Sequence, residues 1–107
     1  MFVSVYRFVG VALLMAGSTT ALYANDLDAG RKIFNETAMP NCAACHTMKD
    51  AGAMGQIGPN LDTLKRTAAE VKLTVVNGVG VMPGYSETLS EAEIETVSKY
   101  VAAVAGK

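Results

Sequence analysis

The chain has no tryptophan, one histidine, two cysteines and three prolines in 107 residues, and its nine Lys and Arg nearly cancel its ten Asp and Glu. The near-neutral balance rules out a basic nucleic-acid-binding surface. A charged fraction of 18% beside a hydrophobic fraction of 50% is not the composition of a disordered tail. The length permits one small domain and leaves no room for two. No apolar run reaches the roughly 20 residues that a membrane-spanning helix needs.

The apolar residues that are present sit unevenly. Residues 1–24 hold 17 of them, and the other 83 residues hold 37, of which 12 are alanine. Met1 to Arg7 carries one positive charge, Phe8 to Gly17 is an uncharged apolar run, and Ser18 to Ala24 is small and polar. This is the layout of a secretory signal peptide. The competing reading, a membrane anchor, is disfavoured because the run stops at Gly17-Ser18-Thr19-Thr20. The expected cut follows Ala24, with Ala21 as the fallback, and no cysteine lies nearby to take a lipid. The predicted organisation is a signal peptide over 1–24 and one periplasmic domain over 25–107 with a net charge of −2.

That domain is short of core. Its aromatics are Phe34, Tyr85 and Tyr100, and it has 25 apolar side chains larger than alanine. Domains this small usually need a disulfide, metal or cofactor to hold them.

The pattern predicts an all-α chain of three to five short helices with long loops. Asp26 caps a helix running to about Glu36, and Gly30 within it points to close approach by another helix. Thr37 to Leu61 reads as irregular chain, and Asp62 to Leu64 as one helical turn. Thr67-Ala68-Ala69-Glu70 and Ser90-Glu91-Ala92-Glu93 are capping boxes. The first opens a helix that stops at Asn77-Gly78. The second opens one with Ile94, Val97, Tyr100, Val101 and Val104 along a single stripe, closed by Gly106.

Both cysteines and the only histidine fall in one pentapeptide, Cys42-Ala43-Ala44-Cys45-His46, the attachment signature of a c-type haem. On a helical turn these positions face one way, so two thiols can join the haem vinyl groups while the imidazole reaches the iron. Three rival readings are weaker. A Cys42–Cys45 disulfide closes too small a loop to stabilise much. A thioredoxin-like pair needs a βαβ context, and zinc needs a fourth ligand. For the far side of the iron the candidates are methionines. Met39 and Met48 lie too near the attachment turn, and Met54 is harder to exclude. Met82, 36 residues past His46 in a loop with Gly80, Pro83 and Gly84, is the preferred ligand, ahead of Met54 or an open iron.

The order of these motifs resembles a class I monohaem cytochrome c. CAACH is followed by Gly58-Pro59-Asn60-Leu61, then Asn77-Gly78-Val79-Gly80-Val81-Met82-Pro83-Gly84-Tyr85, then Leu89-Ser90-Glu91-Ala92-Glu93-Ile94. The resemblance runs from about Asp26 to Lys107 and implies a cytochrome c fold wrapped around one covalent haem c. It implies that the Pro59 carbonyl accepts a hydrogen bond from His46, that Gly30 and Phe34 meet Tyr100 where the first and last helices cross, and that Leu61 and Tyr85 pack at the haem. Pro40-Asn41-CAACHT with Met48-Lys49-Asp50-Ala51-Gly52-Ala53 is similar to small acceptor cytochromes of periplasmic sulfite dehydrogenases.

The expected activity is electron transfer with no substrate of its own, through a haem edge framed by Cys42, Ala43, Ala44, Met54 and Ile57. The expected partners are periplasmic redox proteins: a dehydrogenase as donor, and a terminal oxidase or another cytochrome as acceptor. No nucleic acid is expected, no membrane anchor remains after cleavage, and the protein is expected to be a monomer. Glu87, Glu91, Glu93 and Glu95 read as a solvated helix start rather than a docking patch. The alternatives are a tightly bound haem subunit of a dehydrogenase, and a five-coordinate haem enzyme or gas sensor.

Overall fold

Two capping boxes set the starts of two helices, one of which supplies much of the core. The computed structural model describes residues 19–107 together with Gly10 and Ala12, so most of the predicted leader lies outside the described residues. Thr67 and Glu70 exchange side-chain to backbone hydrogen bonds of 3.0 and 3.2 Å at the start of helix α3 (Ala68–Asn77). Ser90 and Glu93 do the same at 2.9 and 3.1 Å for helix α4 (Glu91–Val104). Each box satisfies two backbone donors that a helix start leaves unpaired. The α4 stripe Ile94, Val97, Tyr100, Val101 and Val104 is buried throughout.

Helix α1 (Thr19–Lys32) begins seven residues before the predicted start and continues as a wider π turn over Ile33–Thr37. Asp26 therefore lies inside the helix and does not cap it. Residues 19–25 contain neither proline nor glycine, and an aspartate caps only where the preceding chain leaves the helical conformation. The helix runs through both predicted cut positions, Ala21 and Ala24.

Where α1 crosses α4, a Cβ on Gly30 would come within 2.2 Å of the Tyr100 Cβ and 3.3 Å of the Thr96 carbonyl oxygen. No side chain fits there, which is the close approach that the sequence predicted. Phe34 meets the Tyr100 ring edge-on, with centroids 6.2 Å apart. Arg31 lies over the same ring and donates from Nε and Nη2 to Asp50 at 3.2 and 2.9 Å, while the Tyr100 hydroxyl donates to Asp50 at 2.6 Å. The hydroxyl and the guanidinium together hold the Asp50 carboxyl below its ordinary range.

The segment 37–61 is more regular than predicted. A 3₁₀ turn spans Cys42–Ala44, and strands β1 (Thr47–Met48) and β2 (Ala53–Met54) pair antiparallel around the turn Lys49–Ala51. Two-residue strands are too short to show alternation, so no sequence pattern could reveal them. Helix α2 (Leu61–Leu64) starts at Asn60, whose side chain accepts from the Asp62 N–H at 2.9 Å. The Asp62 carboxylate accepts from the backbone N–H groups of Lys49 at 2.9 Å and Gly106 at 2.8 Å, fastening α2 to the hairpin turn and to the chain end. Among the described residues no helix is long and apolar enough to cross a membrane.

Candidate functional site

The pentapeptide is shaped by its own backbone. Asn41 caps it by accepting from the Ala44 N–H at 2.8 Å, and the N–H groups of Cys45 and His46 both donate to the Cys42 carbonyl, at 3.2 and 2.9 Å. This tight turn places Cys42, Cys45 and His46 on the wall of one cavity of about 750 Å³. Its volume lies within the roughly 300–1,000 Å³ of small-molecule and cofactor sites. Phe34, Val75, Val97 and Val101 give it an apolar floor, and Ile57, Leu73, Val79 and Val81 line its exposed mouth.

His46 is oriented from behind. Its Nδ1 lies 2.7 Å from the Pro59 carbonyl oxygen. A carbonyl can only accept, so Nδ1 carries the proton and Nε2 keeps its lone pair. Gly58 makes room for the ring: a Cβ there would sit 2.6 Å from His46 Cε1 and 2.9 Å from Nδ1. The loop is held close by the Gly58 N–H, which donates to the Cys45 carbonyl at 2.6 Å, and by the Thr47 hydroxyl, which donates to the Gly55 carbonyl at 2.9 Å.

Met82 reaches the same cavity from the other loop. Val79 and Met82 exchange backbone hydrogen bonds of 3.1 and 2.9 Å, closing a turn in which Gly80 takes a φ of 56°. Of the four methionines in 25–107, Met82 lines the cavity. Met48 is fully buried in the core away from it, and Met39 and Met54 point to solvent at 72% and 83% exposure. Met54, the second candidate in the sequence, is thus not part of the wall. The structure gathers Cys42, Cys45, His46, Pro59, Leu61, Met82 and Tyr85 around one space.

Before attachment, burial pushes the Cys42 thiol up to about 11, unlike the lowered thiols of redox pairs. Neither cysteine forms a disulfide, and among the described residues no three His, Cys, Asp or Glu side chains converge as a metal site. Burial also pushes the Tyr85 hydroxyl up to about 12, so it remains a donor. Sequence reasoning missed Arg66 and Glu70, two charges at the cavity wall, and the clamp made by Asp62. The first two fall in and beside a capping box that hid any other role; Asp62 acts through contacts that no local pattern encodes.

Residues 25–101 match the cytochrome family described as cytochrome c oxidase, cbb3-type, subunit III. Cytochrome c6 of Porphyra purpurea is 33% identical over 103 residues, covering 88% of this chain and 86% of that protein. The c-type cytochrome SorU from Sinorhizobium meliloti is 51% identical, with a TM-score of 0.75 over 78% of this chain and 95% of that one. The chain is a small class I monohaem cytochrome c. Its fold is the cytochrome c fold, and its cofactor is covalent haem c. The residues of this cytochrome fit the group: two thiols at the family's spacing, an imidazole turned by Pro59, and a large apolar space that all three border. Its activity is electron transfer.

Proposed function

We propose that this cytochrome is a periplasmic one-electron carrier in which Cys42 and Cys45 hold the haem and His46 and Met82 ligate its iron. One observation supports this most strongly. A single cavity is lined by the two thiols and imidazole of one turn and by the thioether of a loop 36 residues later. When bound, haem would supply one-electron redox chemistry here, with Cys42 and Cys45 holding it and the His46 imidazole and Met82 thioether serving as the ligands that set its potential. The chain supplies the setting. Pro59 fixes the imidazole tautomer, Leu61 and Tyr85 exclude water from the cavity wall, and the rigid Val79–Met82 turn presents the sulfur.

Residues 1–24 act as the export signal that delivers the chain to the periplasm, where residues 25–107 work as a monomer. The donor is a periplasmic dehydrogenase, with sulfite dehydrogenase suggested by the resemblance over Pro40–Ala53, and the acceptor is a terminal oxidase or another cytochrome. Ile57, Val79 and Val81, exposed around the cavity mouth, form an apolar rim for transient docking. Two members of the acidic run are committed elsewhere. Glu93 closes the capping box, and Glu95 pairs with Lys72 at 2.8 Å and Lys99 at 3.6 Å.

The same rim favours the second reading, a haem subunit held permanently in a dehydrogenase. Size-exclusion chromatography of native extract separates the two, since a carrier elutes as a free monomer. The test of the main reading is a potentiometric titration of the purified protein, with haem staining after denaturing electrophoresis. The expected result is one reversible one-electron transition and haem that stays with the chain, lost in the Cys42→Ala/Cys45→Ala variant. Haem retained covalently by that variant would overturn the attachment assignment.

A further inference from the structure

The haem cavity is walled by two segments far apart in sequence, and they meet at one polar contact. The loop carrying Met82 is tied to itself by the Val79–Met82 pair and to its own helix by the Tyr85 N–H, which donates to the Val75 carbonyl at 2.8 Å. Among the described residues, one hydrogen bond carries this loop across to the segment bearing Cys42. The Tyr85 hydroxyl donates to the Pro40 carbonyl at 2.6 Å, over 45 residues of sequence. The tyrosine is 4% exposed, and its backbone carbonyl also accepts from the Thr88 and Leu89 N–H groups, so little of it is free to move.

We propose that Tyr85 is a positioning residue, a latch whose hydroxyl holds the Met82 loop against the Cys42 segment and thereby keeps the Met82 thioether on the iron. The phenol is spoken for by Pro40, so its role is mechanical closure of the cavity. Pro40 lies two residues before Cys42 and Met82 three residues before Tyr85, so the latch joins the chain beside the attachment turn to the chain beside the ligand. Releasing it frees the loop to swing while the backbone ties to α3 remain. The inference rests on Met82 being the ligand.

Imidazole reads out the latch, because it can bind the oxidised iron only where the thioether has left. In the intact holoprotein, Tyr85→Phe keeps the ring and removes the hydroxyl. It is expected to speed replacement of Met82 by imidazole about three- to tenfold, the equivalent of one neutral hydrogen bond. Ile94→Val, which trims the α4 core away from the cavity, lowers global stability and is expected to leave that rate unchanged. An unchanged rate in Tyr85→Phe, or an equal rise in Ile94→Val, overturns the latch. The ligand assignment is checked apart from it. Met82→Ala should lack the long-wavelength band of a thioether–iron(III) bond, and a retained band removes both the assignment and the latch. A measurement on the unaltered protein does not depend on folding of a variant: the Tyr85 hydroxyl proton should be protected from solvent exchange by NMR, and free exchange contradicts the proposal.

Discussion

Gly58 shows how little room His46 has. The imidazole is pinned at Nδ1 by Pro59, and the face of the ring lies where a Gly58 side chain would begin, 2.6 Å from Cε1. Gly58→Ala must therefore turn the ring or lengthen the Pro59 bond. The expected outcome is a lower yield of holoprotein and a shifted reduction potential in what remains, because the bond to Nδ1 sets the basicity of the ligating nitrogen. Wild-type yield and potential in Gly58→Ala would show that the ring is not so confined. At this scale the sequence was most informative where residue types are scarce. With one histidine and two cysteines in the chain, all inside one pentapeptide, the attachment chemistry had few other places to be. Among the four methionines of the domain the spacing and loop residues already favoured Met82, and Met82 lines the cavity whereas Met54 is exposed to solvent.

The elements divide by how local their causes are. Helices α3 and α4 were legible to within a residue or two because their capping boxes and apolar stripe are written in consecutive residues. The start of α1 was misplaced because Asp26 has the chemistry of a cap, and only the preceding turn decides whether it serves as one. The hairpin of β1 and β2 depends on pairing four residues that carry no periodic signal. Asp62 belongs to the same class, since one carboxylate joins α2, the hairpin turn and the chain end.

That clamp makes a prediction about acid. The N–H groups of Gly106 and Lys49 hold the Asp62 carboxyl below its ordinary range. A lowered folded value stabilises the protein above the unfolded value of about 3.9, and the benefit is lost as pH falls through the folded one. Asp62→Asn, which keeps only one acceptor, is expected to lower stability at neutral pH by about 1 kcal/mol, the worth of a capping bond at a half-exposed site. The gap between variant and wild type should narrow as pH drops below about 4. Urea midpoints measured across pH check this, and a gap that widens in acid contradicts it.

For the whole molecule, the scarcity of core is the organising fact. Twenty-five apolar side chains larger than alanine, three of them aromatic, serve 83 residues, and a good part of them faces the cavity rather than one another. Phe34, Val97 and Val101 belong at once to the helix crossing and to the cavity floor, so the scaffold and the cofactor site are one packed unit. The two walls of the cavity come from the two halves of the domain's sequence, with His46 on one and Met82 on the other. A single haem iron is proposed to join them. The most direct test is the oxidised absorption spectrum of the holoprotein and of Met82→Ala. The holoprotein is expected to show a long-wavelength thioether–iron(III) band that Met82→Ala lacks. A band absent from the wild type, or intact in the variant, would contradict it.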